Sequence, residues 1–209
     1  IFFMSDVPTN LSRLISVFSI QRICSYGSGS NLISTLYSVF NLAWTESATL
    51  YIESEDASDF FSNTFDIIIR LFGSACLGVI VFMPFIFGIM IDDKFSDAYY
   101  QIPILMIGAL FNVFVSFLGS IYVAKKITSQ IAKTSILAAV INVLINIALI
   151  KFLGLYAASI ATAISYIAMF IYRLIDSKKY IKLFFDKKLV ALFTISYLIS
   201  IVVYYIRLN

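Results

Sequence analysis

Apolar runs of lipid-spanning length follow one another along this chain, separated by short polar turns, and that spacing leaves few folds open. They cover about residues 67–91, 102–123, 131–150, 156–173 and 189–206. A helix rises ~1.5 Å per residue, so ~20 residues cross the ~30 Å hydrocarbon core of a bilayer. A membrane barrel would instead show alternating segments of ~10 residues, which are absent. Hydrophobic residues make up 61% of the 209 and charged ones 13%. A soluble domain has roughly 45–50% and ~25% of each. The expected fold class is all-α: a polytopic membrane helix bundle.

Two further spans complete a set of seven. The first, about residues 1–20, is short and contains Asp6, Pro8, Asn10, Ser12 and Arg13. The second, Asn31 to Tyr51, is long enough to cross but carries Asn31, Ser34, Thr35, Ser38, Asn41, Thr45, Glu46, Ser47 and Thr49. A helix this polar cannot turn every face to lipid, because each polar group placed there needs a partner. The greasy spans therefore read as a wall, and this one as lining a wet space between them. An acidic loop follows at 53–66, with Ser54 placed to cap a helix start. Pro84 predicts a kink near the end of its span. Tyr99, Tyr100, Tyr122, Tyr156, Tyr172, Tyr204 and Tyr205 fall at span ends, where aromatic belts sit.

Several chemistries are excluded at once. There is no histidine, and only two cysteines. No Ser-His-Asp or Cys-His unit can form, and a His/Cys metal site is ruled out. Cys76 lies inside a span and Cys24 near a span end, so no bridge is expected. No cofactor is expected. Ile1 opens the chain with no Met and no basic-flanked leader, so it reads as the middle of a longer chain with no secretory signal. Net charge is only +3, and its pattern speaks for membrane orientation rather than nucleic acid. Lys125, Lys126 and Lys133 occupy one connection. Arg173, Lys178, Lys179, Lys182, Lys187 and Lys188 occupy another, two spans later. Both are expected on the cytoplasmic side, and by parity the 53–66 loop lies there too.

Polar positions recur at helical spacing. Gly108, Asn112, Ser116 and Ser120 form one stripe, Asn142 and Asn146 repeat the spacing on the next span, and Ala157, Ala161 and Ser165 make a small-residue face. Close helix packing accounts for the small-residue face. For Asn112, Asn142 and Asn146 packing and a hydrated path compete evenly, since an amide in lipid needs a partner or water. Asp6, Arg13 and Glu46 are ionisable groups within spans, by default candidates for a transport path. Asp6 and Arg13 share a face but sit ~10 Å apart, so Arg13 is better placed to meet an anionic group. Asp66 and Arg70, four apart, read as a local ion pair.

From Asn31 onward the chain resembles the C-terminal half of a polysaccharide flippase of the O-antigen (Wzx) type. That family belongs to the superfamily that also holds multidrug extruders and the lipid II flippase. The likeness rests on Phe40-Asn41-Leu42-Ala43-Trp44, on Gly88 to Tyr99, and most strongly on Asn142 to Arg173. The chain departs from that pattern at Thr45-Glu46, where the family favours Pro, at Ser12-Arg13, where it favours Asp-Arg, and at Ala157, often Gly. The resemblance implies a second six-helix lobe over residues 1–175, a basic cytoplasmic linker at 176–188 and an extra span at 189–209. The first lobe is expected to be missing from this chain, either upstream in a longer product or lost, so the fragment alone should not transport. The implied function is flipping of an undecaprenyl-diphosphate-linked oligosaccharide across a bacterial inner membrane for lipopolysaccharide or related surface glycan, with proton or sodium coupling and no enzyme activity. Asp6, Arg13, Asn41, Trp44, Glu46, Asn112, Asn142 and Asn146 would line the substrate path. Rival readings are a degenerate fragment with a scaffold role only, a multidrug antiporter of the same fold and, from another class, an integral membrane polysaccharide polymerase or ligase. The latter class usually works through a long outer loop with clustered arginines, and the outward turns here are short.

Overall fold

A computed structural model of the chain describes residues 29–90, 100–154 and 156–206, with side chains at all of these but 29–32, 34 and 84–90. The span expected at 1–20, with Asp6 and Arg13, lies outside the described residues, as do Cys24 and the 92–97 turn. Pro84 and Gly88 lie outside the described side chains. Six helices and no strand are found among the described residues: α1 (Gly29–Tyr51), α2 (Ala57–Met90), α3 (Ile102–Ala124), α4 (Thr128–Leu153), α5 (Tyr156–Ser177) and α6 (Lys187–Ile206). Five of them, α2 to α6, are long and apolar enough to cross a membrane. Such a set makes this a multi-pass membrane protein in architecture. The polar α1 is long enough but is not among the five.

Helix α3 is the hub. It packs against α1, α2, α4 and α5, and 61% of its most apolar stretch is buried, against 11% for α4 and for α6. The contrast follows from sequence: Gly108, Ala109, Gly119 and Ser120 let neighbouring backbones approach α3, while α4 presents Ile136, Val140, Leu144 and Ile147 outward. Exposed branched side chains on α4 and α6 are what a lipid-facing wall requires. At Gly108 an added Cβ would stand 3.7 Å from Ala163 Cα, ordinary contact between two backbones brought close by small residues. Ala157, Ala158, Ala161, Ala163 and Ser165 on α5 are all buried, so the small-residue face is a packing face.

An aromatic cluster locks α1 and α2 onto the hub. Trp44 stacks on Phe117 with ring centroids 5.0 Å apart and meets Phe61 edge-on at 5.1 Å. Phe65 reaches Phe114 and Phe117, both at 5.2 Å. Each such pair is worth ~0.5–1.5 kcal/mol beyond area burial.

Helix α2 begins at Ala57, ten residues before the expected boundary, so 53–66 is not one loop. Phe61 and Phe65, four apart, are buried, and that apolar face extends the helix beneath its acidic outer positions. Ser54 does not cap α2. Its hydroxyl donates to the Tyr51 carbonyl at 2.8 Å and closes the end of α1 instead. Asp66 and Arg70 form no ion pair: Arg70 is exposed, and Asp66 Oδ1 is buried with no partner among the described residues. Cys76 is buried as a free thiol.

Three connections meet at one end of the bundle. Lys125 Nζ pairs with Glu53 at 3.1 Å, joining the α1–α2 and α3–α4 turns. Phe184 N donates to Ser62 Oγ at 3.0 Å, so the segment after α5 folds beneath the start of α2. Asp186 then starts α6 by accepting from the amides of Lys188 and Leu189. At the other end Tyr205 donates to the Tyr100 carbonyl at 2.8 Å, and Ser159 to Gln101 Oε1 at 2.6 Å. Gly154, at φ 53°, makes the tight α4–α5 turn there, a backbone conformation that side chains resist.

Candidate functional site

Polar side chains from α1, α3, α4 and α5 converge on a cavity of about 650 Å³. Helix α1 supplies Asn41 and Thr45; α3 supplies Asn112, Ser116 and Ser120; α4 supplies Ser135 and Asn142; α5 supplies Thr162, Ser165 and Arg173. The helical spacing noted in the sequence explains the convergence, since Asn112, Ser116 and Ser120 stand four apart on one face of the hub. Val115, Ala138 and Met169 form a small apolar patch within the same wall.

Each polar group has a definite state. Asn142 Nδ2 donates to Thr162 Oγ1 at 3.3 Å and Ser165 Oγ at 3.2 Å. Those hydroxyls pass their own protons to the carbonyls of Ala158 and Thr162. Asn142 is thereby fixed against α5. Asn41 lines the cavity; its Oδ1 accepts from Tyr37 at 3.3 Å, and its Nδ2 forms no hydrogen bond among the described residues. Asn112 and Ser116, both half-buried, form no side-chain hydrogen bond among the described residues. These are the groups that water or a hydroxylated ligand can satisfy.

Arg173 is the strongest feature of the wall. It was expected in the basic connection after a span ending at 173, but α5 continues to Ser177 and the guanidinium is only 3% exposed. Nε and Nη2 donate to Thr134 Oγ1 at 3.0 and 2.8 Å, and Nη1 donates to the Val115 carbonyl at 2.8 Å. All its acceptors are neutral, and no carboxylate pairs with it among the described residues. Burying a cation this way costs several kcal/mol that neutral acceptors only partly offset. Gly119 makes the room: a Cβ there would stand 2.9 Å from Nη1. Nearby, Asp176 accepts from Tyr122 at 3.0 Å and from Lys179 at 2.7 Å. The hydrogen bond to Asp176, reinforced by its charge, raises the Lys179 ammonium above the usual lysine range.

Of the residues proposed for a substrate path, Asn41, Asn112 and Asn142 meet in this cavity. Trp44 does not line it. It lies in the aromatic core, where Nε1 donates to Ser120 Oγ at 2.7 Å, one side chain away. Glu46 is on the exposed face of α1, and Asn146 is buried outside the cavity wall. Asp6 and Arg13 lie outside the described residues.

No protein-family model matches the chain, and no curated protein or solved structure matches it either. Amide and hydroxyl groups with one fixed positive charge form a wall suited to a polar, anionic solute, and they sit inside helices whose outer faces suit lipid.

Proposed function

We propose that this chain is one lobe of a transporter that moves a lipid-linked oligosaccharide across a bacterial cytoplasmic membrane. The observation that carries the reading is the meeting, in one cavity among membrane-length helices, of Asn41, Asn112 and Asn142 with Arg173, which pairs with no carboxylate among the described residues. Sugar hydroxyls match the open Asn41 and Asn112 amides. A diphosphate matches a buried positive charge, whose field is strong where water is scarce. The lipid tail stays in the bilayer, so no apolar tunnel through the cavity is needed. The other lobe, which the resemblance to O-antigen flippases implies, closes the compartment, and rocking of one lobe against the other alternates access. Proton or sodium coupling belongs to the same reading, as does an inner-membrane setting with the lysine-rich end facing the cytoplasm. The chain is a carrier component rather than an enzyme.

The test uses the full-length protein in cells. Single cysteines at positions 41, 112 and 142 are expected to react with a water-soluble, membrane-impermeant thiol reagent in at least one transport state. Arg173→Gln is expected to lower surface glycan about tenfold or more at unchanged protein level, the weight of a charge-assisted hydrogen bond. Arg173→Lys should recover part of it. Cysteines sealed in every state, or export untouched by Arg173→Gln, would overturn the reading. Drug sensitivity in a deletion strain with normal glycan would redirect it to a multidrug extruder.

A further inference from the structure

A second groove, about 660 Å³, lies between α2, α3, α5 and α6 and differs in kind from the first. Its walls are aromatic and aliphatic, with Phe65, Phe111, Phe114, Phe170 and Phe193 prominent. The two hydroxyls in the wall are turned to backbone: Thr194 donates to the Val190 carbonyl at 2.8 Å and Tyr197 to the Pro103 carbonyl at 3.3 Å. One charged side chain lines the groove, Lys187, and it stands at the end where the linker enters α6. Lys187 is exposed and makes no ion pair or hydrogen bond among the described residues. The neighbouring acid, Asp186, is committed to the first amides of α6.

Dimensions narrow the occupant. The lining positions on α6 run from Lys187 to Ile201, which is ~21 Å of helix at ~1.5 Å per residue. One leaflet contributes about half of the ~30 Å hydrocarbon core, plus its headgroup layer. The groove is thus as deep as one leaflet, apolar along its length, and positive at the interfacial end only. The linker adds Lys178 and Lys182, and the first turn of α6 adds Lys188. A basic pocket between membrane helices is the recognised setting for an anionic lipid headgroup.

We propose that this groove binds an anionic phospholipid, with an acyl chain lying along α6 and its phosphate at Lys187. The inference does not depend on what the polar cavity carries. The lipid bridges α6 to the hub, so its removal loosens the last helix.

Delipidated full-length protein in neutral detergent is titrated with phosphatidylglycerol, phosphatidylcholine or a polyprenyl phosphate, reading Tm and bound lipid by native mass spectrometry. Phosphatidylglycerol is expected to raise Tm and to bind one-to-one, with little response to phosphatidylcholine. Lys187→Gln should weaken phosphatidylglycerol about fivefold, the weight of one lysine at a headgroup. Ala191→Phe, which fills the groove without touching charge, should weaken it as well. Equal responses to the two phospholipids would reduce the groove to bulk lipid contact and overturn the proposal. So would unchanged binding in Ala191→Phe, or a stronger response to polyprenyl phosphate. Lys182→Gln and Lys188→Gln matching Lys187→Gln while Ala191→Phe has no effect would assign the attraction to the linker surface alone.

Discussion

Asn146 is wrapped in protein at 2% exposure, yet neither end of its amide meets a partner among the described residues. An unsatisfied buried amide costs ~1–3 kcal/mol, and an apolar group of the same shape escapes that penalty. Asn146→Leu is therefore expected to leave stability unchanged or raise it by about 1 kcal/mol, measured as Tm in detergent. A loss of that size would show that the amide has a partner. Arg173 shows the opposite case. It precedes the lysines that begin at Lys178, and counting basic residues for orientation assigns it to the same loop. Periodicity held the better signal: eleven residues after Thr162 is three helical turns, which returns Arg173 to the face that carries Thr162. Asn41, Asn112 and Asn142 were legible because amides in apolar helices stand out. Trp44 and Asn146 look the same in sequence but spend their polar groups elsewhere, one on Ser120 and one on nothing described.

At the scale of elements, helix existence was legible and boundaries were not. Apolar runs set α3, α4 and α6 to within a few residues, because length and hydropathy alone decide them. Acidic residues hid the first turns of α2, where only one face is apolar and Phe61 and Phe65 carry it. Two glycines within α2 separate packing from propensity. At Gly73 a Cβ would stand 2.9 Å from the Phe193 ring of α6, whereas at Gly78 nothing lies within 4 Å. Gly73→Val is expected to lower stability by about 1–3 kcal/mol through overpacking. Gly78→Ala should be neutral or stabilising by up to ~1 kcal/mol, as a helix interior prefers. Thermal melts of the two variants in the same detergent check the contrast; equal losses would mean that α6 does not seat on Gly73.

For the whole molecule, one end gathers the Glu53–Lys125 pair, the Ser62–Phe184 contact and the Tyr122–Asp176 bond, and the other gathers Gly154, Tyr100 and Tyr205. The ion pair itself is largely exposed and contributes at most ~1 kcal/mol, but as a marker of position it fixes which turns share a side. Cysteines placed at 54, 126 and 182 are expected to label from one face of the membrane and a cysteine at 154 from the other. Labelling of 54 and 126 from opposite faces would break the helix order described. Parity over successive spans predicted this grouping, since alternating helices leave little freedom. The seating of the linker beneath α2 was not legible, because it depends on a serine hydroxyl and a backbone amide far apart in sequence. Trp44 is the sole tryptophan of the 209 residues, and its indole touches a serine of the cavity wall. Its emission therefore reports from a single known place: a solute entering the cavity, or α1 parting from the hub, would shift the colour of the fluorescence without any dye being attached.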